Sequence, residues 1–349
     1  MKKILFILKE RFYSFSKTSY GLINSATHLA TYLNSEGYNC KVVTVVDGNG
    51  IDKEVHDFGP DMVIIEALWC PTYKLEELIN ISKYKHIKWV VRVHSDIAFL
   101  SCETQALKLI REYVELQEKG LTVSFNHAGF IKVLSEVMRH EFTYLPNVIL
   151  TQDLPNDYLD EKEHIDVGCL GATRLLKNQC FQAICAIRAA DKLKKKLRFH
   201  VTPNLDQGND PILANLKELF DRNRHELVIH DWLPNDEFQE LVREMDIGLQ
   251  VSFTETFNIV AADFINNNRI IIVSDAISWL PSTFRTSTLD YDDLTDKIIV
   301  AYKNRNNNKL RRIAKDALRK YNLVAKHEWS KFLHKEHGHH GKDKDKGRK

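Results

Sequence analysis

The feature that most constrains this chain is an alternation. Short unbroken runs of Ile, Val and Leu recur along it, with helically spaced stretches between them. In the first half, Ile4–Leu8, Cys40–Val46, Met62–Ala67, Trp89–Val93 and Leu121–Phe125 read as strands. Ile23–Leu33 reads as a helix, with Leu22, Ala26, Leu29, Ala30 and Leu33 on one face. Leu75–Tyr84 and Glu103–Glu118 read as two more. A half-exposed strand alternates apolar and polar residues. These runs do not alternate, so both sheet faces are covered, as in parallel strands joined by helices.

Leu145-Pro146-Asn147 and the polar residues up to Glu163 break the pattern and read as a linker. The series then starts again. Ile165–Leu170, Leu197–Val201, Leu227–Ile229, Ile247–Val251 and Ile270–Val273 are strand candidates. Gln179–Lys192, Pro211–Asp221, Asn235–Glu244 and Ile259–Asn266 are helix candidates, and Leu294–Tyr321 reads as one long basic helix. The expectation is an α/β protein of two similar domains facing across a cleft, residues 1–150 and 164–325. A closing helix (326–334) and a disordered basic tail (335–349) would follow. In such folds the ligand sits at the C-terminal ends of the strands.

The length of 349 residues agrees with two domains. The net charge of +2 gives no global case for a nucleic-acid or membrane partner. Without the last fifteen residues the balance is 43 basic against 44 acidic, so the positive sign belongs to the tail. The six cysteines form no close pair, which fits a reduced compartment and disfavours structural zinc. The N-terminal apolar run is shorter than a signal-peptide core, and no run approaches the ~18 residues that span a bilayer. A cytoplasmic protein is expected.

The sharpest chemical feature is Glu255-Thr-Phe-Asn-Ile-Val-Ala-Ala-Asp263, which follows a strand and enters a helix. Its carboxylates, eight positions apart, span just over two helical turns, so both are expected on roughly one face. A helix start also offers unpaired N–H groups and a positive dipole end, which suit phosphate or sugar hydroxyls. The same spacing equally fits a carboxylate that stabilises its own helix plus a surface Asp. A second cluster is Val167-Gly-Cys-Leu-Gly-Ala-Thr-Arg174-Leu-Leu-Lys177-Asn178. Gly171 permits a tight turn, and Arg174 with Lys177 brings two cations to a strand end. A diphosphate carries the charge such a pair would neutralise. Two solvated loop cations would look the same.

These segments resemble the retaining glycosyltransferases built from two Rossmann-like domains, the GT-B fold. The run Met245–Asp263 and the strand ending Ser274-Asp275 look like their Glu-x7-Glu element. Leu145-Pro-Asn147, Asp231-Trp-Leu-Pro234 and Leu289-Asp-Tyr-Asp-Asp-Leu294 look like further elements in the same order. The resemblance implies that Arg174 and Lys177 hold the diphosphate of a nucleotide-sugar, expected to be UDP-linked, and that Glu255 binds sugar hydroxyls. It implies that Phe257, Asn258 and Ile259 present amides to sugar or phosphate, and that Trp232 lies beside the base. Asp263 takes the second Glu position, usually the ribose ligand, one methylene shorter. Asn258 stands where Gly is frequent. Gly21 would belong to the first turn of the donor side, and His94, in Arg92-Val-His94-Ser-Asp96, would face the sugar. Ser19, Tyr20, Trp69 and Asp96 are acceptor-side candidates. The family needs no cofactor and no metal, and no Asp-x-Asp signature stands at a strand end.

Lys9–Ala26 and Arg92–Ile97 further resemble glycosyltransferases of large tailed bacteriophages. That implies double-stranded DNA with hydroxymethylated bases as acceptor. Lys192–Arg198 and Arg305–Lys320 would then form basic contacts. A glycan, lipid or small-molecule acceptor stays open, as does a binding module without catalysis.

Overall fold

The computed structural model describes residues 1–10, 20–155, 157–203 and 210–339. It divides into two units, and both are α/β. The first comprises Met1–Lys9, Ser25–Leu150 and Arg319–Lys349; the second comprises Glu10–Asn24 and Thr151–Leu318.

The first unit carries β1 (Lys3–Lys9), α1 from Ser25 on (the helix spans Tyr20–Ser35), β2 (Asn39–Val45), α2 (Gly50–Phe58), β3 (Met62–Glu66), α3 (Thr72–Asn80), β4 (Lys88–Val93), α4 (Ile97–Leu100), α5 (Ala106–Glu115), β5 (Leu121–Phe125), α6 (Ala128–Met138) and β6 (Thr143–Tyr144). Its six strands are all parallel, in the order β2-β1-β3-β4-β5-β6. The unbroken apolar runs are buried on both faces, as their lack of alternation requires: Ile4 to Ile7 and Met62 to Ile65 are fully buried.

The second unit carries β7 (His164–Ala172), α7 (Gln179–Leu193), β8 (Lys196–Thr202), α8 (Pro211–Phe220), β9 (Glu226–Ile229), α9 (Asn235–Glu244), β10 (Ile247–Gln250), α10 (Ile259–Asn266), β11 (Ile270–Ser274), β12 (Arg285–Thr286), α11 (Tyr291–Lys303) and α12 (Asn308–His339). Its strand order is β12-β11-β10-β7-β8-β9, again parallel. The chain builds outward from β7 through β8 and β9, then returns to place β10 on β7's other side. The β7/β10 junction is therefore the point where strand order reverses. In open parallel sheets, that is where ligands bind.

Three differences from the sequence reading have physical causes. The single helix expected over Leu294–Tyr321 is two. The first, α11, ends at Lys303 with Asn304 as its C-cap, and the Asn307 side-chain oxygen then accepts from the amides of Lys309 (3.0 Å) and Leu310 (3.3 Å) and starts α12 afresh. Helices α2, α4 and α6 are additional to those read from the sequence. In α6 apolar residues point both ways, with Val133 and Val137 exposed, so no single stripe marks it. Finally, where the sequence places a boundary at 325, α12 runs unbroken and passes between units after Leu318. The expected tail falls outside the described residues from 340 on.

In the first unit the end of α12 is built in. Asn322 brackets Ile149, accepting from its N–H (3.0 Å) and donating to its carbonyl (2.7 Å). Trp329 is fully buried and donates to the Pro146 carbonyl at 2.8 Å. In the second unit, Gly168 of β7 and Gly248 of β10 let α10 pack against the sheet. A Cβ on Gly248 would lie 2.5 Å from the Phe264 ring, and one on Gly168 would lie 2.8 Å from it. Phe264 is fully buried. This close approach fixes α10 across the two central strands, with its N-terminus at their C-terminal ends.

Candidate functional site

The loops after β7 and β10 meet at the point of strand reversal. Gly171 turns there with φ +96°, a left-handed conformation that suits Gly. A short helical turn, Leu175–Lys177, then carries Lys177, whose ammonium forms an ion pair with Glu255. This pair joins the two loops. Arg174 is exposed on the first of them. Gln182 of α7 stitches the loops from behind, donating to the Lys177 carbonyl (2.7 Å) and accepting from the Val251 N–H (2.8 Å).

Asn258 is the keystone of the second loop. It has φ +67°, and its side-chain oxygen accepts from the Ala261 N–H at 2.8 Å, capping α10. Its amide nitrogen donates to Glu255 (3.0 Å) and to Gln250 (2.8 Å). Gln250 in turn donates to the Leu170 carbonyl of β7 at 2.8 Å. Asn tolerates left-handed backbone better than most residues, and here its side chain does the capping that a Gly could not. The loop's other wall is Trp279, which stacks on Phe257 with ring centroids 5.3 Å apart and donates to its carbonyl at 2.7 Å.

The two carboxylates of the Glu-x7-Asp element are not equivalent. The spacing predicts Glu255 at the loop-to-helix junction and Asp263 further along, on roughly the same face. Glu255 does lie in the loop, four residues before α10, whereas Asp263 is buried within the helix. Asp263 Oδ1 accepts from Gln239 of α9 at 2.9 Å, and Gln239 accepts from Asn267. Burial pushes the Asp263 carboxyl up to about 7 against an ordinary 3.8, the Gln239 hydrogen bond only partly opposing it. Ile259 opens α10 and is half-buried. Trp232 is half-buried and donates to the Pro203 carbonyl at 3.0 Å.

In the first unit, strand order reverses between β1 and β3. Glu66, at the end of β3, is buried between Arg92 (3.1 Å) and the His94 ring. Arg92 is fully buried. It donates also to the Leu145 carbonyl (2.9 Å) and to Asn147 (2.5 Å), and its guanidinium lies over Trp329. Burial raises the Glu66 carboxyl, but Arg92 and His94 outweigh it and hold it ionised. Burial and then Arg92 push His94 below the usual imidazole range, so the ring is neutral near pH 7. Ionised Glu66 can only accept, which puts the ring proton on Nε2 and leaves Nδ1 to accept from Asn126 at 3.4 Å. Both ring nitrogens of His94 are thus engaged inside this unit. Trp69 is half-buried, donating to the Glu66 carbonyl at 2.9 Å. Asp96 caps α4 through the Ile97 N–H (2.7 Å). Tyr20 is the first residue of α1 and Gly21 the second, while Ser19 lies outside the described residues.

Sequence reasoning misses Gln250, Gln182, Gln239, Trp279 and the Glu66–Arg92–Asn147 network. Each has a partner tens of residues away, which no local spacing marks. The Pro146-Asn147 element is one exception, since its Asn is the residue that Arg92 holds.

No protein-family model matches the sequence, and no curated protein matches it. Solved structures do match. A point mutant of S. aureus TarM, in complex with fondaparinux, alpha-GlcNAc-glycerol and UDP, superposes with a TM-score of 0.57 at 13% identity, covering 78% of this chain. The chain spans 55% of TarM's length. A glycosyltransferase from Rickettsia africae ESF-5 gives 0.61 at 13% identity, covering 94% of this chain and 98% of its own. The UDP-forming α,α-trehalose-phosphate synthase from Burkholderia vietnamiensis gives 0.65 at 10%, covering 95% and 96%. At such identities the likeness is one of fold: two Rossmann-like domains of the GT-B type.

Proposed function

We propose that this chain is a retaining glycosyltransferase that takes its sugar from a UDP-linked donor. One observation carries the reading: the Lys177–Glu255 pair, the Asn258-capped start of α10 and Arg174 converge at the β7/β10 strand reversal. That arrangement joins cations and a helix N-terminus, which suit a diphosphate, to a carboxylate, which suits sugar hydroxyls. Among the similar folds, the TarM structure holds UDP, and the Burkholderia enzyme is UDP-forming.

In this reading Arg174 and Lys177 bind the diphosphate and stabilise the charge left on it as the glycosidic bond breaks. Such fixed donors are worth roughly 2.7–4 kcal/mol each in the transition state. Donor binding draws Lys177 from Glu255 toward phosphate, freeing the carboxylate for the sugar. Asn258 holds Glu255 in place throughout. Asp263 supports α10 from beneath through Gln239. His94, kept neutral and oriented by Glu66 and Asn126, is the residue that the family resemblance assigns to the sugar.

DNA bearing hydroxymethylated bases is the acceptor that the bacteriophage resemblance suggests. The basic segments give it little support. Lys192 pairs with Asp296 (3.1 Å), Lys195 with Glu161 (2.7 Å) and Arg198 with Asp166 (3.2 Å). Arg305 pairs with Glu161 (2.6 Å), and buried Arg311 donates to backbone carbonyls.

The test is consumption of UDP-sugars by the wild type, Glu255→Ala and Lys177→Met, with labelled transfer to hydroxymethylated duplex DNA and to oligosaccharides. Each variant is expected to lose about 100-fold or more in turnover. Undiminished turnover in both would overturn the site. Inverted configuration of the product, read by NMR, would overturn retention.

A further inference from the structure

A groove of about 720 Å³ lies between α5 and α6 in the first unit. The two helices follow β4 and β5 in one direction, so right-handed crossovers place them side by side on one face of the sheet. Leu107 lines one wall, and Val133 and Val137 line the other; they are 48%, 57% and 75% exposed. Isolated apolar side chains at a surface need no explanation, but a concave row of them does. The volume falls within the roughly 300–1,000 Å³ typical of small-molecule sites.

The groove is polar at one end. There Asp96 Oδ2 lies 3.5 Å from His127 Nδ1, and the other ring nitrogen of His127 lies beside Gly129. Arg111, one helical turn along α5 from Leu107, stands in the wall. Among the described residues its side chain makes no hydrogen bond or ion pair, whereas Lys108 on the same helix pairs with Glu112. The Asp96 carboxylate also lines the groove but is turned to the His127 ring, which leaves the Arg111 guanidinium to face a ligand with one anionic group and a hydrocarbon chain. Helix α6, at about 1.5 Å per residue, gives a trough roughly 15 Å long. That is the length of a chain of about ten to twelve carbons.

We propose that this groove binds a single anionic amphiphile: its chain lies along Leu107, Val133 and Val137, and its acidic head meets Arg111. A membrane surface fits less well. The site is concave, and α5 and α6 carry three basic and three acidic residues, not the excess of cations that draws a helix to anionic lipid. This inference stands apart from the transfer reaction and survives if that reading fails.

The experiment is calorimetric titration of the full chain with sodium dodecanoate below its micellar concentration, with 1-dodecanol and dodecyltrimethylammonium as controls. One equivalent of dodecanoate is expected to bind. Val133→Glu/Val137→Glu, at exposed positions that leave the fold intact by circular dichroism, should weaken it more than tenfold. Arg111→Leu should weaken dodecanoate about tenfold and leave dodecanol unchanged. The proposal is overturned if dodecanoate does not bind, or binds the double variant as well as the wild type. It is equally overturned if only phosphatidylglycerol vesicles bind. Sedimentation showing a dimer that the double variant dissociates would assign the groove to a second copy instead.

Discussion

Replacing Asp263 by Asn tests the charge state of the deepest carboxyl in the candidate site. Asp263 is 6% exposed on α10, and its side chain accepts from the Gln239 amide. Burial disfavours the carboxylate, so the native group holds its proton to about pH 7, against 3.8 when solvated. Between those values the folded chain binds more protons than the unfolded chain, so this group's contribution falls as pH rises. It is fully present below about pH 4 and lost by the time pH has risen through 7. A difference of about three units, at about 1.4 kcal/mol per unit, amounts to about 4 kcal/mol. An Asn side chain there would be neutral at every pH and would still offer an oxygen to Gln239. Urea denaturation of both proteins at half-unit steps from pH 5 to 8.5 should show Asp263→Asn gaining on the wild type as pH rises. Most of the gain should fall between pH 5 and 7.5. A constant difference across that range would refute the argument, because it would mean that the carboxyl is solvated or already paired.

Three further outcomes are expected. Gly248→Ala forces a methyl into the Phe264 ring and should cost about 1–3 kcal/mol by denaturation, with Phe264→Leu in the same chain restoring part of it. Asn258→Ala loses the α10 cap and strains a left-handed backbone, so it should cost about 1–2 kcal/mol, while Asn258→Gly, free of that strain, should cost less. Arg92→Met leaves Glu66 charged and buried with its main partner gone. A loss of about 3–5 kcal/mol is expected, and Glu66→Gln should recover much of it; absence of recovery would mean that Arg92 acts by packing alone.

What the sequence reveals and what it hides follow from the range of the forces involved. Strands buried on both faces announce themselves through runs such as Ile4–Leu8 and Ile270–Val273, because burial acts on every residue of the run. Lys177, Glu255 and Asn258 are visible as a pattern at two strand ends, and the structure brings those three together. Asp263 is visible as a position but not as a buried acid, since its environment is made by α9, 24 residues earlier. The break at Asn304–Asn307 is present in the run of asparagines, but the helical spacing on either side of it masks the signal. Gln250 and Trp279 carry no spacing of their own. Each matters because of what the fold sets against it.

The seating of α12 has a consequence for the order in which the chain is made. Ile149 waits for Asn322 and Pro146 waits for Trp329, separations of 173 and 183 residues. A ribosome adding ~5–20 residues per second needs roughly 10–40 s to deliver them. Throughout that interval the nascent first unit lacks the indole that closes over Arg92. Its completion therefore follows the synthesis of all of Thr151–Leu318, the main segment of the second unit.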